Sequence, residues 1–242
     1  MKISIGILSY NAPSTLKNTL LSYKNSRLIE ETDDIFCILQ NSKKQEEEEN
    51  ICSQFSVKSI KMPDNGLMAS GFREIFNNAK NEIILFLEND FCTYCDQKEV
   101  KYYLENAIYF LNKNTADLVR GRSRKNPGHP NYAKMNLSQI PPSSFIKSKH
   151  LSECMYWVEH PELVYPDKIT KIKEDWYMTS SASCNYTNNP YMCKKDFFYN
   201  AIYPYLKNGE NIEKTLTPIW SQKNYKCIFG FGIFTHDRKD GH

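Results

Sequence analysis

Ile83-Ile84-Leu85-Phe86-Leu87-Glu88-Asn89-Asp90 spells IILFLEND. Five consecutive apolar residues describe a strand buried on both faces, the form taken when helices cover a parallel sheet on each side. A buried strand should not end on two carboxylates, Glu88 and Asp90 with Asn89 between them, unless something outside the sheet needs them.

The same pattern recurs upstream. KISIGILSY is β-branched and apolar on both faces, ends at Ser9 and Tyr10, and is broken by Asn11 and Pro13. STLKNTLLSYKNS follows, with Ser14 placed to cap a helix and Leu16, Leu20 and Tyr23 at helical spacing. DIFCILQ is a second strand ending at Gln40, Asn41 and Ser42, and VKSIKM is a short third one closed by the turn Pro63 to Gly66. A helix from Leu67 to about Ala79 gathers Phe72, Ile75, Phe76 and Ala79 on one face and leads into IILFLEND. Alternating strands and helices over about the first 90 residues predict an α/β fold with a mostly parallel, doubly wound central sheet. Ligands in such sheets lie beyond the carboxyl ends of the strands. Ser9, Tyr10 and Asn11, then Gln40 and Asn41, then Glu88, Asn89 and Asp90 should therefore face one crevice.

The second half is less regular. A helix is expected from Glu99 to Lys113, then a strand in ADLVRGRSRK, then a long loop from Asn126 to about Glu153. The segment CNYTNNPYMCKKDFF reads as turn-rich, IEKTLTPIWSQKN as a helix, and KCIFGFGIF as a final strand before THDRKDGH. No repeat or linker divides the chain, so residues 1–242 are expected to form a single domain.

Composition bounds the function. Apolar and charged fractions of 40% and 24% are those of a globular protein, and a net charge of +3 is too small to predict nucleic-acid binding. The run Glu46 to Glu49 reads as a solvated helix start or loop without chemistry. Eight scattered cysteines, whose only close pair is Cys92 and Cys95, lack the partners of a zinc site and are expected to be free thiols. No signal peptide or run of about 20 apolar residues is present, so the expectation is a soluble, cytoplasmic protein without a membrane anchor.

ILSYN, LQNS, NGLMASGFRE and FLEND fall in the order, and at about the separations, of the motifs in GT-A fold glycosyltransferases. The chain resembles especially their large family-2-like, inverting group, and NIEKTLTPIWSQKNYKCIFGFGIFTH continues the likeness from Asn211 to His236. The resemblance implies one GT-A, Rossmann-like domain, with 1–98 as the nucleotide-binding half and 99–242 as the acceptor and donor-sugar half. It implies transfer of a sugar from a nucleotide-diphosphate sugar to a hydroxyl of a carbohydrate or glycoconjugate acceptor by direct displacement.

Such a reaction must stabilise charge on the leaving diphosphate and activate a weak nucleophile. A divalent cation meets the first need and a carboxylate acting as general base the second. By the resemblance, Asp90 and His236 would hold the cation, Mn²⁺ in preference to Mg²⁺ because imidazole joins the ligand set. Glu88 would lie near the ribose or a metal-bound water. Glu213 would be the base, with Glu210 and the pair Glu174 and Asp175 as rivals. Ser9, Tyr10, Asn11, Gln40, Asn41, Arg73, Glu88, Asn89 and Arg238 would bind the nucleotide or donor, with Arg120, Arg122 and Arg124 as further candidates for the diphosphate. The acceptor or donor-sugar pocket is expected around Trp176, Asn185, Thr187 and Asn188 to Pro190.

The chain departs from the family pattern in places. Gln40 and Asn41 replace an acidic pair, which leaves uracil, thymine and guanine all open as the base. Ile212 replaces an acid, and Gly71-Phe72 stand where Ala-Arg is expected. These departures keep a second reading in view, a non-catalytic GT-A domain that binds nucleotide sugars. A nucleotidyltransferase is a third, but it should carry a glycine-rich signature that ILSYNAPSTL lacks.

Overall fold

The computed structural model describes residues 1–128 and 159–240. Most of the expected loop after Asn126, and Cys154, lie outside them. The elements in chain order are β1 Ser4–Ser9, α1 Pro13–Asn25, β2 Asp34–Leu39, α2 Gln45–Gln54, β3 Lys58–Lys61, α3 Leu67–Asn78, β4 Ile83–Glu88, β5 Phe91–Thr93, α4 Gln97–Asn112 and β6 Leu118–Arg122. After the gap come α5 Pro161–Val164, β7 Thr170–Lys173, β8 Trp176–Ser180, β9 Tyr191–Lys194, α6 Lys195–Ala201, α7 Ile212–Trp220 and β10 Lys226–His236. Among the described residues the strands form one sheet in the order β3-β2-β1-β4-β9-β6-β10-β8-β7, with β5 paired to β10.

The first four strands of that order are parallel to one another, as the alternation of elements requires. Their side chains divide by parity into two cores, one on each face of the sheet. Ile5, Ile7, Cys37, Leu39, Leu85 and Leu87 pack with Leu16, Leu20 and Tyr23 of α1 and Leu104 of α4. Phe36, Ile38, Ile84 and Phe86 pack with Phe72, Ile75 and Phe76 of α3 and Leu216 and Trp220 of α7. This two-sided burial is why the strands read as continuous apolar runs. The approach of α3 to β1 is close: a Cβ on Gly71 would stand 2.3 Å from Leu8 Cδ1. Gly71 in place of the family's alanine lets helix and strand meet there.

Several local expectations need correction. Ser14 does not cap α1; the helix starts at Pro13 after Ala12, since proline has no N–H to satisfy and its φ suits a first turn. The helix α4 begins at Gln97, where Asp96 accepts from the Glu99 amide and Glu99 returns the bond to the Asp96 amide. The turn-rich segment contains a central strand: β9 lies antiparallel between β4 and β6. Glu174 and Asp175 form the turn of the hairpin β7-β8, with Asp175 at φ 57°, so these two rival bases belong to the far edge of the sheet. Trp176 is wholly buried and stacks on Tyr103 at 5.4 Å, so it belongs to the core and lines no sugar pocket.

Candidate active site

Sheet parity and one short ladder assemble the site. Glu88 shares a face with Ile84 and Phe86, the side covered by α3 and α7. The chain turns at Asn89-Asp90, and β5 pairs antiparallel with the end of β10, Phe91 opposite His236. That register brings Asp90 Oδ2 to 3.1 Å from His236 Nε2, while the Asp237 amide donates to the Asp90 carbonyl at 2.7 Å. His236 is the last residue of β10 rather than a loop residue beyond it. Its backbone is also tied to the start of the excursion after β6: the His236 amide donates to Pro127 O at 3.2 Å, and Gly128 forms a bridge with it.

A crevice of about 400 Å³ opens at these strand ends, lined by Tyr10, Gln40, Glu88, Asn89, Asp90 and Arg238 among others. Burial pushes the Glu88 carboxyl well above the usual carboxylate range; Asp90 and then Glu213 add repulsion, and Arg238 opposes them. Three acidic groups thus bear on one spot. Buried polar atoms without a protein partner include Asp90 Oδ1, His236 Nδ1 and Gln40 Oε1. Buried groups of this kind are normally satisfied, so these mark places where a ligand's atoms would be accommodated.

Glu213 lies in the first turn of α7, and its Oε1 accepts the Asn188 amide at 2.7 Å, which fixes the carboxylate. Glu210, rather than Glu213, is among the residues lining the crevice; it accepts from Thr215 Oγ1 at 3.0 Å and lies 3.7 Å from Lys207 Nζ. The loop Thr187 to Pro190 supports rather than lines the crevice. Thr187 O accepts from Arg120 at 2.7 Å, and Asn189 Oδ1 accepts from Arg122 at 2.9 Å. Arg124 lies over the Tyr177 ring at 4.6 Å and donates to Glu159 O.

Other expected binding residues serve the scaffold. Asn41 Nδ2 donates to Pro63 O at 2.6 Å, which clips the end of β2 to the turn before α3. Arg73 donates to Leu206 O and Asn208 Oδ1 and lies over the Tyr203 ring, so it holds the loop that forms the crevice's outer wall. Asn11 sits at φ 54°, a left-handed turn that asparagine tolerates. Ser9 is buried and faces α2, away from the ligand side.

The residue that sequence reasoning missed is Glu48. It is 0% exposed, accepts from Ser9 Oγ at 2.6 Å and from the Ala12 amide at 3.1 Å, and is no part of a solvated run. Ser9 Oγ in turn accepts from Asn89 Nδ2 at 2.9 Å, and Asn89 O accepts from Thr19 Oγ1 at 2.6 Å. A buried chain of hydrogen bonds therefore runs from α2 to the residue between the two acids. Its signal was in the spacing: Glu48, Ile51 and Cys52 share one helical face, and that face is buried.

Among the described residues no three His, Cys, Asp or Glu side chains close a metal cage, and their cysteines are free thiols. Asp90 with His236 offers two donors, one of them carrying a buried, unpartnered oxygen. That suits a cation which takes its remaining ligands from phosphate and water, the usual habit of such ions at diphosphate sites.

Residues 4–152 match the family described as Glycosyl transferase family 2, and the chain belongs to that family, with the GT-A fold. Solved structures of S. aureus TarS share the fold. TarS 1–349 aligns at TM-score 0.57 and 13% identity over 98% of this chain and 60% of that one. The same fragment in complex with UDP-GlcNAc aligns at 0.58 and 13% over 100% and 60%, and with UDP at 0.57 and 12% over 97% and 60%. The chain thus spans about 60% of the length of those structures. No curated protein matches the chain in sequence. No helix among the described residues is long and apolar enough to cross a membrane.

Proposed function

We propose that this chain is a metal-dependent, inverting glycosyltransferase that moves a sugar from a nucleotide-diphosphate sugar to a hydroxyl of a carbohydrate or glycoconjugate acceptor. The observation that carries the reading is the convergence of Glu88, Asp90 and Glu213 with His236 and Arg238 at the carboxyl ends of the family's strands. Carboxylates that repel one another on the wall of a crevice are stabilised when a cation and its ligand enter.

Asp90 and His236 would hold the divalent ion, Mn²⁺ in preference to Mg²⁺. The ion, when bound, would neutralise charge on the leaving diphosphate. Arg238 would add a second cation there. Gln40, whose side-chain amide can both donate and accept, would meet the nucleobase. The S. aureus TarS complexes with UDP and UDP-GlcNAc make a uridine nucleotide the first donor to try. Glu213 would take the proton of the acceptor hydroxyl as it attacks the anomeric carbon, on the face opposite the departing diphosphate.

The test is a calorimetric titration with UDP-, GDP- and dTDP-sugars, with and without Mn²⁺, followed by transfer assays with the donor that binds. One nucleotide class should bind only with the metal, and Asp90→Ala should abolish that binding. Glu213→Gln should keep donor affinity and lower transfer by roughly 10²–10⁴-fold, the usual scale for a general base. Binding indifferent to metal and to Asp90 would overturn the cation site. Donor binding without transfer, in a chain whose Glu213→Gln variant behaves like the parent, would leave a nucleotide-sugar binding domain.

A further inference from the structure

A second cavity, about 590 Å³, lies between α4 and the far end of β10. Its origin is a large bulge. Phe229 and Phe234 of β10 pair with Arg120 and Arg122 of β6, so five residue steps on one strand face two on the other. Glycine is required at two positions of this excursion. Gly232 sits at φ +68°, where a Cβ would lie 2.0 Å from Arg122 O, and a Cβ on Gly230 would meet the Trp176 ring at 2.7 Å. The bulge swings Phe231 out against α4, where it stacks on Tyr102 at 6.0 Å and meets Tyr103 edge-on.

The mouth of the cavity is Tyr94, 60% exposed, just past β5. An aromatic side chain so exposed is ordinarily free to turn, but this one is fastened: its hydroxyl donates to Asp237 Oδ2 at 2.6 Å. Asp237 sits between His236 and Arg238, so the ring is fixed at the boundary between cavity and crevice. The charged groups around the cavity balance, Lys98 and Lys125 against Glu99 and Asp175, and Asn126 and Ser123 add neutral polar groups. A flat ring held open, an aromatic wall behind it and hydrogen-bonding groups of no net charge suit a ligand with apolar faces and many hydroxyls.

We infer that this cavity is a subsite for a neutral saccharide, stacked on Tyr94 and backed by Phe231. Resting on the glycosyl-transfer reading, it would hold acceptor sugars further along the chain from the reacting hydroxyl. A polyanion is the poorer fit, because a lining of no net charge offers it no excess of cations.

The test titrates the full chain with cellohexaose, maltohexaose and chitohexaose, with polyphosphate as the anionic comparison, and with no nucleotide present. At least one hexasaccharide should bind equally at low and high salt. Its affinity should fall about tenfold or more in Tyr94→Ala and in Phe231→Ala, fall by less in Tyr94→Phe, which keeps the ring but loses its tether to Asp237, and be unchanged in Asp90→Ala. Thermal melts of the variants check that they fold; the Tyr94 variants alter an exposed ring and keep the case open if Phe231→Ala does not. No hexasaccharide binding, binding retained by Tyr94→Ala, loss in Tyr94→Phe as complete as in Tyr94→Ala, loss in Asp90→Ala, or salt-sensitive binding of polyphosphate alone would each overturn the subsite. Because the titration omits nucleotide, its outcome and that of the donor titration stand apart.

Discussion

Glu48 has the most informative position of any single residue. Burial raises its carboxyl above the usual range, against bonds from Ser9 and the Ala12 and Asn11 amides that favour the charged form. Because the folded carboxyl binds its proton at higher pH than the unfolded one, ionised Glu48 costs stability at neutral pH. That cost is relieved as pH falls through the raised value, and fully so below the ordinary carboxylate range. Glu48→Gln keeps an acceptor and cannot ionise, so its melting temperature relative to the parent should be highest near neutrality and decline as pH is lowered. A difference independent of pH would refute the assignment. Glu48→Ala should cost roughly 1–3 kcal/mol for each group left buried without a partner, measured by denaturant unfolding. The crevice residues were legible because Glu88 and Asp90 break a buried strand. Glu48 was hidden because its neighbours Glu46, Glu47 and Glu49 belong to the outward faces of the same helix, and a run of one residue type masks a periodicity.

Among the elements, β1, β2 and β4 were readable because each is an apolar run bounded by turn residues, whereas β5, three residues long, was not read as a strand. Nor was β9, for a physical reason. It is four residues long, buried, preceded by Asn188-Asn189-Pro190, and followed by α6 with no residue between them. Neither alternation nor a closing turn announces it. The hairpin β7-β8 did carry a turn signal, Glu174-Asp175, but its acids drew a chemical reading instead. The contact between α3 and β1 is tight enough to test by substitution. Gly71→Ala should destabilise by about 1–3 kcal/mol through overpacking against Leu8. Leu8→Ala alone should also destabilise, while the pair should cost less than the sum of the two, as measured in a double-mutant cycle. Additive costs would mean that the helix simply shifts.

Across the whole molecule, β9 is the strand that joins the two parts of the chain. It takes the edge of β4 on one side and of β6 on the other, so the parallel sheet of the first 98 residues is completed by a strand from the second part. The division into a nucleotide half and an acceptor half can therefore describe ligand contacts but not independent folding. A fragment ending at residue 98 would expose the backbone edge of β4 and half of both cores. It should show no cooperative melt and should aggregate, whereas the full chain should melt in one transition. A sharp, reversible transition in the fragment would contradict this. The crevice obeys the same logic, since Glu88 and Asp90 come from one part and Glu213, His236 and Arg238 from the other.

Gly128 meets the end of β10 through its backbone alone. It bridges to His236, and a Cβ there would stand 2.0 Å from His236 O. In a saturation library selected for activity, position 128 should behave as though it were catalytic, accepting nothing but glycine while contributing no side chain at all. A mutational map of this protein would then show a hot position with no chemistry of its own, and the way to interpret it would be as the shadow of His236.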